Sequence, residues 1–224
     1  MRPAGLKQTP WPRTLPRMSE QDFDQALIGA AFRLASETSW ARVTVADAAR
    51  AAGLSLAEAR VHFPGKHRLL RRFGQLMDQA ALSAASGEGS VRDQLFELLM
   101  ARFDAMKPHR EGVRSLLRHL PADPATAVQL ACATRRSMRW MLNAAGQSTS
   151  GFRGALRVRG LVTVWLWALR TFERDDTEDL STTMAVLDTA LGRACEMARW
   201  ISGDRRRDAE ADESAVPDAE EPQT

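Results

Sequence analysis

The chain has 224 residues, 44% of them hydrophobic and 26% charged, and a formal net charge of +3. These are the values of a soluble globular chain long enough for one or two domains, and no apolar run approaches the ~18 residues of a membrane span. Only Cys132 and Cys195 are present, which excludes a disulfide scaffold and a cysteine-rich metal site. Tyrosine is absent, and β-branched residues are sparse beside Ala, Leu and Arg, so the expected fold is all-α.

Residues 1–18 hold Pro3, Pro10, Pro12 and Pro16 together with Arg2, Lys7, Arg13 and Arg17, and no acid. Proline blocks helix and apolar periodicity is lacking, so this segment reads as a disordered basic arm without the apolar stretch of a secretory signal. Ser19 then opens a run in which Phe23, Leu27, Ala30, Ala31 and Leu34 recur at helical spacing, ending near Ser36 to Ser39. Thr44 reads as the cap of a short helix over about 44–52, and Gly53 as its left-handed stop. Ser55 and Glu58 form the pattern of a capping box for a third helix, which must end before Pro64. Two short helices joined by a glycine-containing turn are the sequence form of a helix-turn-helix.

A fourth helix follows Pro64-Gly65-Lys66, with Leu69, Leu70, Phe73, Leu76 and Met77 on its apolar side. Ser90, with Asp93 three residues on, starts a fifth that ends near Met106. Pro108 and Pro121 bracket a sixth, and Asp123-Pro124, a cap followed by first-turn proline, starts a seventh that runs to about Asn143. After a loop at Gly146 to Gly151, two long helices are expected, one to Phe172 and one from Thr177 to about Ile201. Ser202 to Thr224 carries eight acids against Arg205, Arg206 and Arg207 and reads as a disordered acidic tail.

The stretch VTVADAARAAGLSLAEARVHFPGKHRLL, Val43 to Leu70, resembles the DNA-binding domain of the TetR family of bacterial transcription regulators. Phe63 and Lys66 fill that pattern's corner between its third and fourth helices, and the layout of about nine helices also fits the family. The resemblance implies a TetR-like fold with a helix-turn-helix domain at 19–66 and a helical dimerisation and ligand-binding domain at 67–201. It also implies a phosphate-contacting tyrosine just before the His-Phe pair, where this chain has Val61. The C-terminal half, through AAGQSTSGF (Ala144 to Phe152), Arg159, Trp167 and DDTEDLSTTMAVLD (Asp175 to Asp188), looks like the lipid-binding ubiquinone-biosynthesis accessory family, which shares the fold.

A recognition helix needs side chains that reach base edges or phosphates. The candidates are Ser55, Arg60 and His62 on the third helix, Lys66 and His67 just beyond, and Arg42 and Thr44 at the start of the second. Phe63 reads as a packing residue, and Arg71 and Arg72 as a solvated helix face. From Ser19 to Leu70 six bases face six acids, a poor balance for a DNA reader.

Farther on, Trp165 and Trp167 lie two positions apart and point about 200° from each other on a helix. One is therefore expected in the core and the other at a partner. The segment Leu161 to Leu169 is apolar on most sides and should be covered all round. These features suggest a homodimer through the last two long helices, with Leu161, Trp167, Met184, Leu187 and Leu191 at its interface. Met138, Met141 and Trp165 are candidate lining for a small apolar or lipid-like ligand.

No motif of a catalytic site or a metal site is present, so neither catalysis nor a cofactor is expected. The resulting expectation is a cytoplasmic regulator, a repressor that binds a palindromic double-stranded DNA operator as a dimer and is released by an apolar ligand. The alternative is a lipid- or isoprenoid-binding accessory protein on the same fold with a degenerate DNA-binding segment.

Overall fold

The computed structural model describes residues 18–213, with side chains through Trp200. Its helices are α1 Glu20–Glu37, α2 Val45–Ala51, α3 Leu56–His62, α4 Lys66–Ser83, α5 Val91–Met106, α6 Arg110–His119, α7 Pro124–Ala144, α8 Gly151–Phe172 and α9 Ser181–Glu213. Short 3-10 turns lie at Lys107–His109 and Leu120–Ala122. No strand occurs among the described residues, and none of their helices is long and apolar enough to cross a membrane. The expected basic arm lies outside the described residues except for its last residue, Met18.

Local chemistry accounts for most helix starts. The hydroxyls of Ser19, Thr44 and Ser55 accept from the main-chain N–H groups of Asp22, Asp47 and Glu58. Each thus satisfies one donor that the first helical turn leaves open. A full reciprocal box forms at Ser90 and Asp93. At α7 the Asp123 carboxylate accepts from Thr126 N, and Pro124 occupies the first turn, where no N–H is needed.

The last helix departs from expectation at both ends. It begins at Ser181 rather than Thr177 because Asp175 organises the preceding turn. The Asp175 carboxylate accepts from the N–H and hydroxyl of both Thr177 and Thr183, with the Thr183 contacts at 2.7 Å. These four hydrogen bonds outweigh the cost of burial and hold its pKa at about 2. Its backbone also continues past Ile201 to Glu213, through Ala, Arg and Glu that favour helix and short of Pro217. The part of the expected acidic tail beyond Glu213 lies outside the described residues.

Helices α1 to α3 form a head around Leu27, Ala31, Phe32, Trp40, Val43, Ala48, Ala49, Ala59 and Phe63, closed by Leu69, Leu70 and Phe73 from α4. Helix α4 is shared, because farther along it packs on α5 and α7 of the body. The head also rests on α6. There, a Cβ on Gly112 would fall 2.3 Å from the Phe32 carbonyl oxygen, so only glycine permits the approach. Beside it, Trp40 N donates to the Ser115 hydroxyl at 3.0 Å. In the body, α8 packs along α9 and against α7, and α5 packs on α4 and α9.

Candidate nucleic-acid interface

The turn between α2 and α3 is built on Gly53, whose φ of +66° is the left-handed conformation glycine supplies without strain. Leu54 N bonds back to Ala49 O at 2.9 Å and fixes the angle at which α3 leaves α2. On α3, Ala59 is buried and His62 packs on Phe23, with ring centres 5.5 Å apart. These two positions define the inner side of the helix. Ala57, Arg60 and Val61 turn outward, and Val61 is 78% exposed.

The seven expected contact residues divide into two groups. Arg60, on the outward face, donates from Nη1 to the Pro64 carbonyl at 3.3 Å and keeps its guanidinium in solvent. Arg42 is exposed in the turn before α2, and His67 is exposed on the first turn of α4. Thr44 and Ser55 stay at the surface but their hydroxyls are engaged as caps, and Thr44 also donates to Asp47 Oδ2 at 2.6 Å. His62 is half-buried, with Nδ1 3.6 Å from Glu20 Oε1. Lys66 is placed differently from expectation. Its Nζ donates to the carbonyl oxygens of Trp40 and Ala41, so it holds the head together rather than extending from it.

The even charge count of the head also changes meaning in three dimensions. Asp24 is buried and paired with Arg72 of α4 at 2.5 Å, and Asp47 accepts from the Thr44 hydroxyl and pairs with Arg50 at 2.8 Å. Two acids are thus satisfied internally, while Arg42, Arg60, Arg68 and Arg71 remain exposed. Arg68, Arg71 and Arg72 line a groove of about 640 Å³ at the C-terminal end of α3, opposite Glu20, His62 and Phe63. Reading Arg71 and Arg72 as one solvated face misses this. The long-range pairing of Arg72 with Asp24 separates it from Arg68 and Arg71, and no local pattern signals it.

In the body, Met138, Met141 and Trp165 are all buried in the core. Trp165 stacks on Phe103 at 4.4 Å, and the Arg102 guanidinium lies 5.0 Å from the centre of its ring. Arg102 pairs with Asp78, which accepts from the Ser137 hydroxyl at 2.7 Å. Burial lowers the Arg102 pKa to about 10. The three expected ligand-lining residues are thus buried core side chains, and Trp165 covers an ion pair.

The five expected interface residues also divide. Trp167 and Met184 are exposed, and the Arg193 guanidinium lies 5.4 Å from the centre of the Trp167 ring. Leu161, Leu187 and Leu191 are buried in the core of the chain itself, which corrects their assignment as contact residues. Other apolar side chains face outward instead, namely Phe152, Leu156 and Leu166 on α8 and Met197 and Trp200 on α9.

No protein-family model matches the sequence, and no curated protein is similar to it. Solved structures are similar in fold. A TetR transcriptional regulator from Nitrosomonas europaea superposes with a TM-score of 0.64 at 22% identity, covering 77% of this chain and 98% of that one. One from Rhodococcus sp. RHA1 gives 0.56 at 19% identity over 78% and 97% of the two chains. A TetR-family regulator from Streptomyces coelicolor gives 0.56 at 20% identity over 84% and 91%. The chain therefore has the fold of TetR regulators.

Proposed function

We propose that this chain, built on the TetR regulator fold, is a DNA-binding transcription regulator that acts as a homodimeric repressor on a palindromic operator. The observation that carries the reading is α3, a capped second helix of a helix-turn-helix that turns Arg60 outward in a head whose Arg42, with Arg68 and Arg71 of α4, is also exposed. A helix so presented enters the major groove while flanking cations meet phosphates. The exposed apolar side chains of α8 and α9 support a two-fold dimer, which places two heads on one duplex.

The test uses the full chain and the DNA upstream of its own gene, with binding followed by fluorescence anisotropy across a salt series. Binding should weaken linearly on logarithmic axes as salt rises. Arg60→Ala should weaken it by roughly tenfold or more while leaving the melting temperature unchanged. A purified dimer that binds no segment of that DNA even at low salt would refute the operator reading.

A further inference from the structure

The face of α3 that would meet base edges is largely apolar. With about 100° between successive residues, the direction opposite buried Ala59 and half-buried His62 centres on Ala57, with Arg60 and Val61 on either side. Leu56, in the first turn, is 46% exposed, and Val61 is 78% exposed. Val61 adds little to the head core, because its side chain points into solvent from a seven-residue helix whose Ala59 makes the inward contact.

An aliphatic side chain has one partner on the floor of the major groove, the 5-methyl group of thymine. Ala57 is small enough for the helix backbone to approach that floor closely. Arg60, beside it, carries the fork that matches the paired acceptors of guanine. Its bond to the neutral Pro64 carbonyl at 3.3 Å is long and easily exchanged for a base contact. The exposed cations Arg68 and Arg71, which line one groove with Val61, match a polyanion rather than an apolar protein groove.

We propose that Val61 reads thymine 5-methyl groups in each half-site, next to a base contact from Arg60. The proposal rests on the reading of α2 and α3 as a DNA-binding unit, and it names the chemistry by which that unit selects its sequence.

The experiment first selects duplexes bound by the full chain from a random pool. In the selected duplex each thymidine is then replaced singly by deoxyuridine, which removes only the methyl group. Affinity should fall about fourfold at one or two positions per half-site, the effect of returning one methyl group to water. With Val61→Ala, thymidine and deoxyuridine at those positions should bind alike, and the melting temperature should match that of the parent because Val61 lies outside the core. Unchanged affinity at every deoxyuridine position overturns the inference and leaves DNA binding standing. A methyl effect that persists in full in Val61→Ala also overturns it. If the pool yields no enriched sequence and duplex binding shows no salt dependence, the DNA-binding reading fails and the inference fails with it.

Discussion

The ammonium group of Lys66 stands 3.1 Å from the carbonyl oxygen of Trp40, 3.2 Å from that of Ala41, and 5.6 Å from the centre of the Trp40 ring. Trp40 is buried in the turn that joins α1 to α2, and Lys66 begins α4. One charged side chain therefore fastens the first turn of α4 to the opposite corner of the head. Hydrogen bonds from a charged group contribute ~1.5–3 kcal/mol, so Lys66→Ala should lower the unfolding free energy by about that amount in urea. Lys66→Ala that weakens duplex binding at unchanged stability would instead make Lys66 a phosphate contact.

Arg102 and Asp78 form an ion pair in the body, with Arg102 buried under Trp165. Arg102→Leu leaves the Asp78 carboxylate without its partner and should cost ~3–5 kcal/mol. The double variant with Asp78→Leu should recover most of that loss, because two apolar side chains need no charge partner. Urea unfolding of the three variants measures both effects. A loss in the double variant equal to the sum of the two single losses would show that the pair carries no coupling.

Trp167 and Met184 are exposed on α8 and α9, whereas Leu161 lies in the protomer core. Substituting Glu for both exposed residues should give a folded monomer by sedimentation velocity, since charge replaces the apolar surface that the proposed dimer would bury. Leu161→Ala should act differently, lowering stability by ~2–5 kcal/mol through a core cavity. A double Glu variant that sediments as the parent does would refute a dimer contact on this face.

His109 packs on Phe32 of α1 at 5.6 Å and on Phe73 of α4 at 5.5 Å, where the head meets the body. Arg33, Lys107 and Arg110, and the acids Glu111, Asp176 and Glu178, line the same groove. Burial among the rings holds the imidazole pKa below its ordinary 6.5. The folded chain therefore takes up this proton less readily than the unfolded chain. The stability it contributes is fully present above pH 6.5 and is lost as pH falls toward the depressed folded value. The melting temperature, followed from about pH 8 to about pH 5, should drop through this window, and His109→Gln should flatten the drop. The same slope in both proteins would assign the effect to other groups.

Helix boundaries were legible because their causes are local. Ser19, Thr44, Ser55, Ser90 and Asp123 each cap a helix through an N–H three residues away, and Gly53 and Pro124 act through their own backbone. The starting residue of α9 was not legible, because the Asp175 carboxylate reaches eight residues along the chain to Thr183.

The amino-acid sequence by itself determined the helices, the helix-turn-helix and the outward placement of Arg60, since spacing along a helix sets which residues share a face. Only the tertiary structure decided which apolar face meets the protein's own core and which stays exposed. Leu161 and Leu187 went inside while Trp167 and Met184 stayed outside, because helices apolar on two sides are equally hydrophobic toward either neighbour. Tertiary structure likewise set the partners of charge. Lys66 turned to the Trp40 carbonyl and Arg72 to Asp24, 48 residues away in the chain, because a charge finds the partner that the fold brings near it.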